Sequence, residues 1–175
     1  MNDPKRAVVL VGHGGLPRDC PPDWVSRLKR LEGQRKATGQ PPTPEELDLD
    51  RQIRHWPRTP ENDPYHDGLQ RLAERLDPLL QPAKLVIAYN EFCAPTVLEA
   101  VEKLVEAGYA EITVVPSMFT PGGSHSELEI PELLATLRGQ FPELALHYAW
   151  PFDLDTLAAF LAGHLERFQP GKPPR

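Results

Sequence analysis

Three side chains in this sequence belong to types that hold divalent metals and exchange protons: His13, Glu91 and His125. Two imidazoles and one carboxylate are a common divalent-metal ligand set. Neutral imidazole also accepts protons near neutral pH. His13 stands within Gly12-His13-Gly14-Gly15, and His125 follows Gly122-Gly123-Ser124. Glycine has no Cβ, so a ligand can come close to such a backbone. The three residues are far apart along the chain, so they form one site only if the fold gathers their loops.

The elements before them predict that it does. Ala7–Val11 is a continuous Val-rich run that stops at Gly12, Leu85–Tyr89 is another that stops at Asn90-Glu91, and Ile112–Val115 is a third that stops at Pro116. Runs of this kind are strands buried on both faces, the parallel-sheet pattern. Ala145–Ala149 is a weaker fourth, closed by Pro151. Between them, Leu69, Leu72, Ala73 and Leu76 fall on one helical face, as do Val97, Val101, Leu104 and Val105, with Gly108 as a helix stop. Pro131 to Gly139 and Leu157 to Phe168 read as two further helices. The alternation predicts an α/β fold, a single domain with a parallel sheet of about four strands, flanking helices and right-handed crossovers. Ligands bind such sheets outside the carboxyl ends of the strands, the rim on which His13, Glu91 and His125 are placed. Imidazole nitrogens sharing one ion or bridging water are expected roughly 4–8 Å apart without metal.

The 175 residues suit one domain, and 40% hydrophobic with 25% charged residues is a globular balance. A net charge of −6 argues against general nucleic-acid binding. Two cysteines, Cys20 and Cys93, exclude a disulfide framework and a four-thiolate zinc site. The apolar start, Ala7–Val11, is too short for a secretory segment and no run approaches a membrane span, so a cytoplasmic protein is expected. Gly12-His13-Gly14-Gly15 would suit a hydrolase oxyanion loop, but the required Gly-x-Ser-x-Gly elbow fails at the last position of Gly122-Gly123-Ser124-His125-Ser126. Neither phosphate-binding glycine fingerprint is present.

The 21 prolines exceed twice the usual share of about 5%. Nearly half lie in residues 17–64, a Pro-rich insertion after the first strand. Trp24, Leu28 and Leu31 give one short apolar face; Thr43 then reads as an N-cap with Pro44 at the first helical position and Glu46 three residues on. Two short helices are expected, folded over the cleft or the dimer interface, more mobile than the sheet and ordered further by ligand. Trp24 and Trp56 suit either a flat ring or a small core of their own. Residues 169–175 read as a frayed tail. His55 and His66 are expected at the surface, His147 packed within its strand, His164 alone on the last helix, and Cys93 in a small apolar role.

Three stretches carry a family resemblance. Val9-Leu10-Val11-Gly12-His13-Gly14, then Ala88-Tyr89-Asn90-Glu91 with Pro95-Thr96-Val97-Leu98-Glu99-Ala100, then Val114-Val115-Pro116 through Gly122-Gly123-Ser124-His125 into Leu128-Glu129-Ile130-Pro131 occur in one order. They resemble the small class II tetrapyrrole chelatases, the CbiX/SirB family of sirohydrochlorin metal chelatases, over a little more than half of the chain. The resemblance implies a chelatase variant of the flavodoxin-like fold. It also implies insertion of a divalent ion (Co²⁺, Fe²⁺ or Ni²⁺) as substrate into a tetrapyrrole, with no organic cofactor. His13 and His125 take the positions of the metal-handling and catalytic histidines, and Glu91 that of the nearby acid. Gly14, Gly15, Phe119, Gly122, Gly123 and Ser124 are expected to line the substrate. Small members pair as homodimers, so a partner copy is expected.

The chain departs from the pattern in its long 17–64 insertion and in Glu129, which stands where the family has Asp before Ile-Pro. Arg18, Arg27, Lys29, Arg30, Arg35 and Lys36 in the insertion could pair with a carboxylate-rich ring. Two other functions use other readings of the same residues. One is a non-catalytic tetrapyrrole or metal binder on this scaffold, and the other an unrelated small-molecule enzyme on a parallel sheet.

Overall fold

The computed structural model describes residues 4–168, so the predicted frayed tail lies outside the described residues. Strand β1 (Arg6–Gly12) is central. It pairs in parallel with β2 (Lys84–Tyr89) on one side and β3 (Glu111–Pro116) on the other, and β3 pairs in parallel with β4 (Ala145–Tyr148). The order is β2-β1-β3-β4. All four strands were legible as apolar runs, most clearly β1, which is covered on both faces.

Side-chain alternation divides the strands between two faces. Ala7, Val9 and Val11 of β1, Ile112 and Val114 of β3 and Leu146 of β4 pack with α4 (Val97–Glu106) and α5 (Ile130–Gln140), through Val101, Leu104, Ile130, Leu134 and Leu137. On the other face Leu10 and Leu85 pack with Leu69 and Ala73 of α3 (Pro64–Leu76). Helix α4 begins in a capping box: Thr96 Oγ1 accepts from the Glu99 N–H while Glu99 Oε2 accepts from the Thr96 N–H. It ends as predicted at Gly108 with φ 81°, where the Gly108 and Tyr109 N–H groups close onto the Val105 and Leu104 carbonyls. His147 is not packed, contrary to expectation. It points away from α5 on an edge strand and is exposed.

The insertion folds as α1 (Pro22–Thr38) and α2 (Pro44–Arg54), the first much longer than expected. Thr43 caps α2 as predicted, accepting from the Glu46 N–H at 3.1 Å. Cys20, Leu28, Leu49 and Ile53 form a core with Trp24, Trp56 and Phe92 against it. The two tryptophan rings meet edge to face at 5.6 Å, which settles their role as internal packing. Arg27 pairs with Glu45 and Arg35 with Glu46, so two of the six cations considered for the substrate are spent between helices.

The insertion is tied to the sheet by Arg58. Its guanidinium donates to the Gly15 carbonyl at 2.8 Å, to the Phe92 carbonyl and to Asp63. Arg58 and Asp63 side chains are only 6% and 3% exposed. Asp63 in turn caps α3 by accepting from the His66 N–H. One buried ion pair therefore joins the insertion, the loop after β1, the loop after β2 and the start of α3.

Removing one partner of a buried pair leaves an unpaired buried charge. Arg58→Ala should therefore lower stability by about 3–5 kcal/mol, read as a fall in the urea midpoint. A second test concerns His66, which stacks on the Tyr89 ring at 5.6 Å. Burial lowers its pKa from 6.5, against the opposing charge of Asp63. The folded state thus takes up a proton less readily than the unfolded chain. Stability is fully kept above the ordinary value and declines as pH falls through it. Urea midpoints measured between about pH 7 and pH 5 should fall less in His66→Gln than in the parent.

Candidate metal centre

Each metal-competent residue sits just past a strand, and the loops are cross-linked by backbone bonds. The Glu91 N–H donates to the His13 carbonyl at 2.8 Å and the Asn90 N–H to the Gly12 carbonyl at 2.9 Å, so the β1–β2 ladder continues into the rim. Gly14, at φ 92°, lies so close to the Glu91 carbonyl that a Cβ there would collide with it. Phe92, directly after Glu91, holds φ 53°, an uncommon conformation for a bulky residue. Its carbonyl is gripped by Arg58 and its ring by the insertion core.

Two tyrosines fix the histidine backbones. The His13 N–H donates to Tyr65 Oη at 2.8 Å. Tyr148 of β4 donates to the Ser126 carbonyl at 2.8 Å, and burial pushes its phenol up to about 12. Ser126 lies in a single π-helical turn, His125–Glu129, that leads into α5. Such turns recur at functional sites.

The ring nitrogens are then set by their outer partners. His13 Nδ1 is 2.8 Å from the Gly14 carbonyl, which only accepts, so that nitrogen carries the proton and Nε2 carries a lone pair. His125 Nδ1 is 2.9 Å from Glu129 Oε2. Asn90 Nδ2 lies 2.7 Å from that ring nitrogen and donates to Glu129 Oε2 at 3.0 Å. Burial alone would raise the Glu129 carboxyl. The hydrogen bonds from Asn90 and His125, with the charges of His125 and Lys36, outweigh it and hold Glu129 below its usual value.

The two Nε2 atoms consequently face one another at 3.2 Å, with the rings edge to face. At that distance one ring's N–H can donate to the other ring's lone pair, and a cation bound by both nitrogens would take that proton's place. Metal–nitrogen bonds of about 2.1 Å with an interbond angle between octahedral and tetrahedral span this distance. The separation is shorter than the sequence-based expectation, because the ring planes are locked from behind. Glu91 Oε1 is 3.9 Å from His125 Nε2, and one ligand atom from each of the three residues lies within 4.8 Å of the others. Among the described residues they are a cluster able to hold a metal, with three ligands and an open side. The Glu91 side chain is 36% exposed.

Gly15 lies beside Asp63, its carbonyl held by Arg58. Gly122, Gly123 and Ser124 are exposed in the loop before His125, with Gly122 at φ 90° and its N–H donating to Glu127 Oε1. Phe119 is 44% exposed and meets Phe152 edge to face at 5.3 Å. Cys93 is buried and burial raises its thiol to about 11, an inert packing role. Sequence reasoning missed Asn90, Tyr65 and Tyr148 as supports. It also missed Glu32 of α1, whose carboxyl is raised by burial and, more weakly, by negative charges that include Glu91. Glu129 stood out in the sequence as the acid before Ile-Pro, and its place four residues after His125 was the signal for their contact.

The three residues form a candidate metal centre with an open side on the carboxyl rim of a parallel α/β sheet. Residues 61–164 match the family model CbiX, and the chain belongs to the CbiX family. Over 66 residues it is 35% identical to the sirohydrochlorin cobaltochelatase of Methanopyrus kandleri, a match covering 38% of this chain and 46% of that protein. The fold resembles the sirohydrochlorin chelatase SirB of Bacillus subtilis subspecies spizizenii in complex with cobalt. The TM-score is 0.51 at 19% identity, covering 93% of this chain and 50% of that one. SirB from Bacillus subtilis with Fe³⁺ gives 0.53 at 19% identity, covering 97% and 48%. The cobalamin (vitamin B12) biosynthesis CbiX protein from Marinobacter aquaeolei VT8 gives 0.55 at 16% identity, covering 94% and 98%. The matched region spans about half the length of the SirB chains and of the Methanopyrus protein.

Outer-shell partners orient ligating imidazoles, and their loss commonly costs 10–100-fold in metal affinity. Glu129→Gln should weaken Co²⁺ binding about 10-fold or more, measured by calorimetry, with Glu129→Asp recovering part of it. Unchanged affinity in Glu129→Gln would remove Glu129 from the site.

Proposed function

We propose that this chain inserts a divalent metal ion, cobalt, iron or nickel, into sirohydrochlorin or a related tetrapyrrole. The observation that carries the reading is the pair of Nε2 atoms 3.2 Å apart, each turned inward by a partner on its own Nδ1, with Glu91 beside them. Metallation of a free-base ring consumes one M²⁺ and releases two pyrrole N–H protons. His13, His125 and Glu91 hold the incoming ion through few enough ligands that the ring nitrogens can displace them. As the ion leaves, the freed Nε2 atoms and the Glu91 carboxylate are bases placed to take the two protons. Gly14, Gly15, Phe119 and Gly122–Ser124 would line the ring, Gly122, Gly123 and Ser124 as small exposed residues and Phe119 as one exposed aromatic face. Two copies facing one another would close the cleft, so the working form proposed is a homodimer.

The reaction is followed by mixing protein with sirohydrochlorin and Co²⁺, Fe²⁺ or Ni²⁺ and recording the visible spectrum against a protein-free control. Metallation should be faster with protein. His13→Ala and His125→Ala should each lower the rate about 10²-fold or more. His55→Ala, at the exposed end of α2, should leave it unchanged. Bound ring with no acceleration would instead identify a tetrapyrrole-binding protein.

A further inference from the structure

The open side of the metal centre is acidic. Glu91 and Glu129 border it with part-exposed side chains, Glu127 is exposed in the turn between them and α5, and the chain as a whole carries a net charge of −6. A ring with peripheral carboxylates is an anion at neutral pH, and like charges brought together in a cleft repel. A cation has to face the same opening. The rim loops have none: residues 13–17, 90–96, 117–129 and 149–153, which follow the four strands, contain no lysine or arginine. Arg58 behind them is buried and matched by Asp63.

Helix α1 of the insertion supplies one. Leu28, Glu32 and Lys36 fall at i, i+4 and i+8, a single stripe about 12 Å long. Leu28 is buried in the core that receives Phe92, the residue after Glu91. Glu32, one turn on, is half-buried and lies in the field of Lys36 and Glu91. Lys36, one turn further, is exposed, and its charge acts on Glu129, the partner of the His125 ring. The stripe therefore runs along the rim from Phe92 past Glu91 to Glu129. The other cations of the segment are spent or turned away. Arg27 and Arg35 are held by glutamates of α2, and Arg18 donates to the Glu61 carbonyl at 3.4 Å. Arg30 lies about 200° round the helix from Leu28, and Lys29 shares the side of Lys36 but stands two turns farther from Glu129. Lys36 forms no ion pair among the described residues.

We propose that Lys36 is a specificity-determining residue for the ring: its ammonium pairs with a peripheral carboxylate and selects tetrapyrroles rich in free carboxylates over those with fewer. The proposal rests on the tetrapyrrole reading of the site. At the far end of the rim, after β3 and β4, Phe119 meets Phe152 at 5.3 Å and Phe152 meets Trp150 at 5.8 Å, an uncharged aromatic margin. A ring spanning the centre thus has a cationic edge at α1 and an apolar edge opposite. The cation comes from the part of the chain that departs from the family pattern, so it acts in addition to the three metal-competent residues. Lys36 also lies in the last turn of α1, where a cation suits the helix dipole. That role is indifferent to the ring, so the two roles separate by experiment.

Binding is measured by fluorescence titration without metal, using uroporphyrin and coproporphyrin, which has half as many carboxylates. The parent should bind uroporphyrin more tightly, and the preference should shrink as salt rises. Lys36→Gln should weaken uroporphyrin binding about 5-fold or more, weaken coproporphyrin binding less, and leave Co²⁺ affinity by calorimetry within about 2-fold of the parent. Lys36→Arg should keep the preference, and Arg30→Gln should change nothing. A preference that survives in Lys36→Gln, or an equal loss in Arg30→Gln, would overturn the proposal. So would a Co²⁺ affinity that falls together with the ring affinity, since Lys36 would then act through Glu129. A parent that binds neither ring would overturn the tetrapyrrole reading itself, whereas a Lys36→Gln variant that binds both rings as the parent does removes Lys36 alone.

Discussion

The site depends on one short contact. The Nε2 atoms of His13 and His125 meet at 3.2 Å. Their rings cannot turn away, because each is held at three points. His13 is fixed by Tyr65 at its N–H, by the Glu91 N–H at its carbonyl and by Gly14 at its ring. His125 is held by Glu129 and Asn90 at its ring and by a π turn that Tyr148 anchors. The fold therefore turns two imidazole nitrogens toward a single point. Three protein ligands rather than four would suit the proposed transfer of an ion to another acceptor.

The frame behind this arrangement converges on Arg58. Gly14 must approach the Glu91 backbone without a side chain, and Phe92 must hold a left-handed conformation so that Glu91 faces the histidines. Neither is a relaxed local choice. Both loops end on one guanidinium, through the Gly15 and Phe92 carbonyls. That guanidinium is balanced by Asp63, which also starts α3 and so places Tyr65 two residues on. The insertion therefore contributes to the site from behind: it supplies the cation that locks the rim loops and a core for Phe92. Helix α1 adds charge at the edge, with Lys36 acting on Glu129 and Glu32 sensing Glu91.

The strands and the three metal-competent residues were readable in the sequence because each leaves a local mark. A Val-rich run that stops at glycine or at an acid is a strand end, and strand ends of a parallel sheet share one rim. Thr43 and Gly108 were readable for the same reason, since caps are set by neighbours in sequence. What was not readable is what depends on distant partners. Arg58 and Asp63 look like ordinary surface charges until the fold buries them together. Trp24 and Trp56 could have served a ligand or a core, and only the packing of α1 on α2 decides. Arg27 and Arg35 looked free for a carboxylate-rich ligand, yet glutamates of α2 already hold them. His147 looked packed because its neighbours are apolar, but edge position overrides composition.

The same limit explains the last helix. Its periodicity identifies a helix, and its composition identifies one that must be buried, but neither says against what. A parallel sheet is ordinarily covered by helices on both faces, yet α6 (Leu154–Leu165) buries no residue of its own. Here the insertion takes the chain's two additional helices, α1 and α2, and spends them on its own core with Phe92. They add nothing to the sheet face over β3 and β4. Helix α3 alone remains for that face and lies over β1 and β2. The segment that makes the rim rigid therefore does not relieve the deficit on the opposite side of the sheet, and α6 is the element of matching apolar character. Rigidity at the metal centre and an open sheet face are in this sense separate outcomes of where the chain places its helices. The aromatic hinge of Phe119, Trp150 and Phe152 is where the two meet.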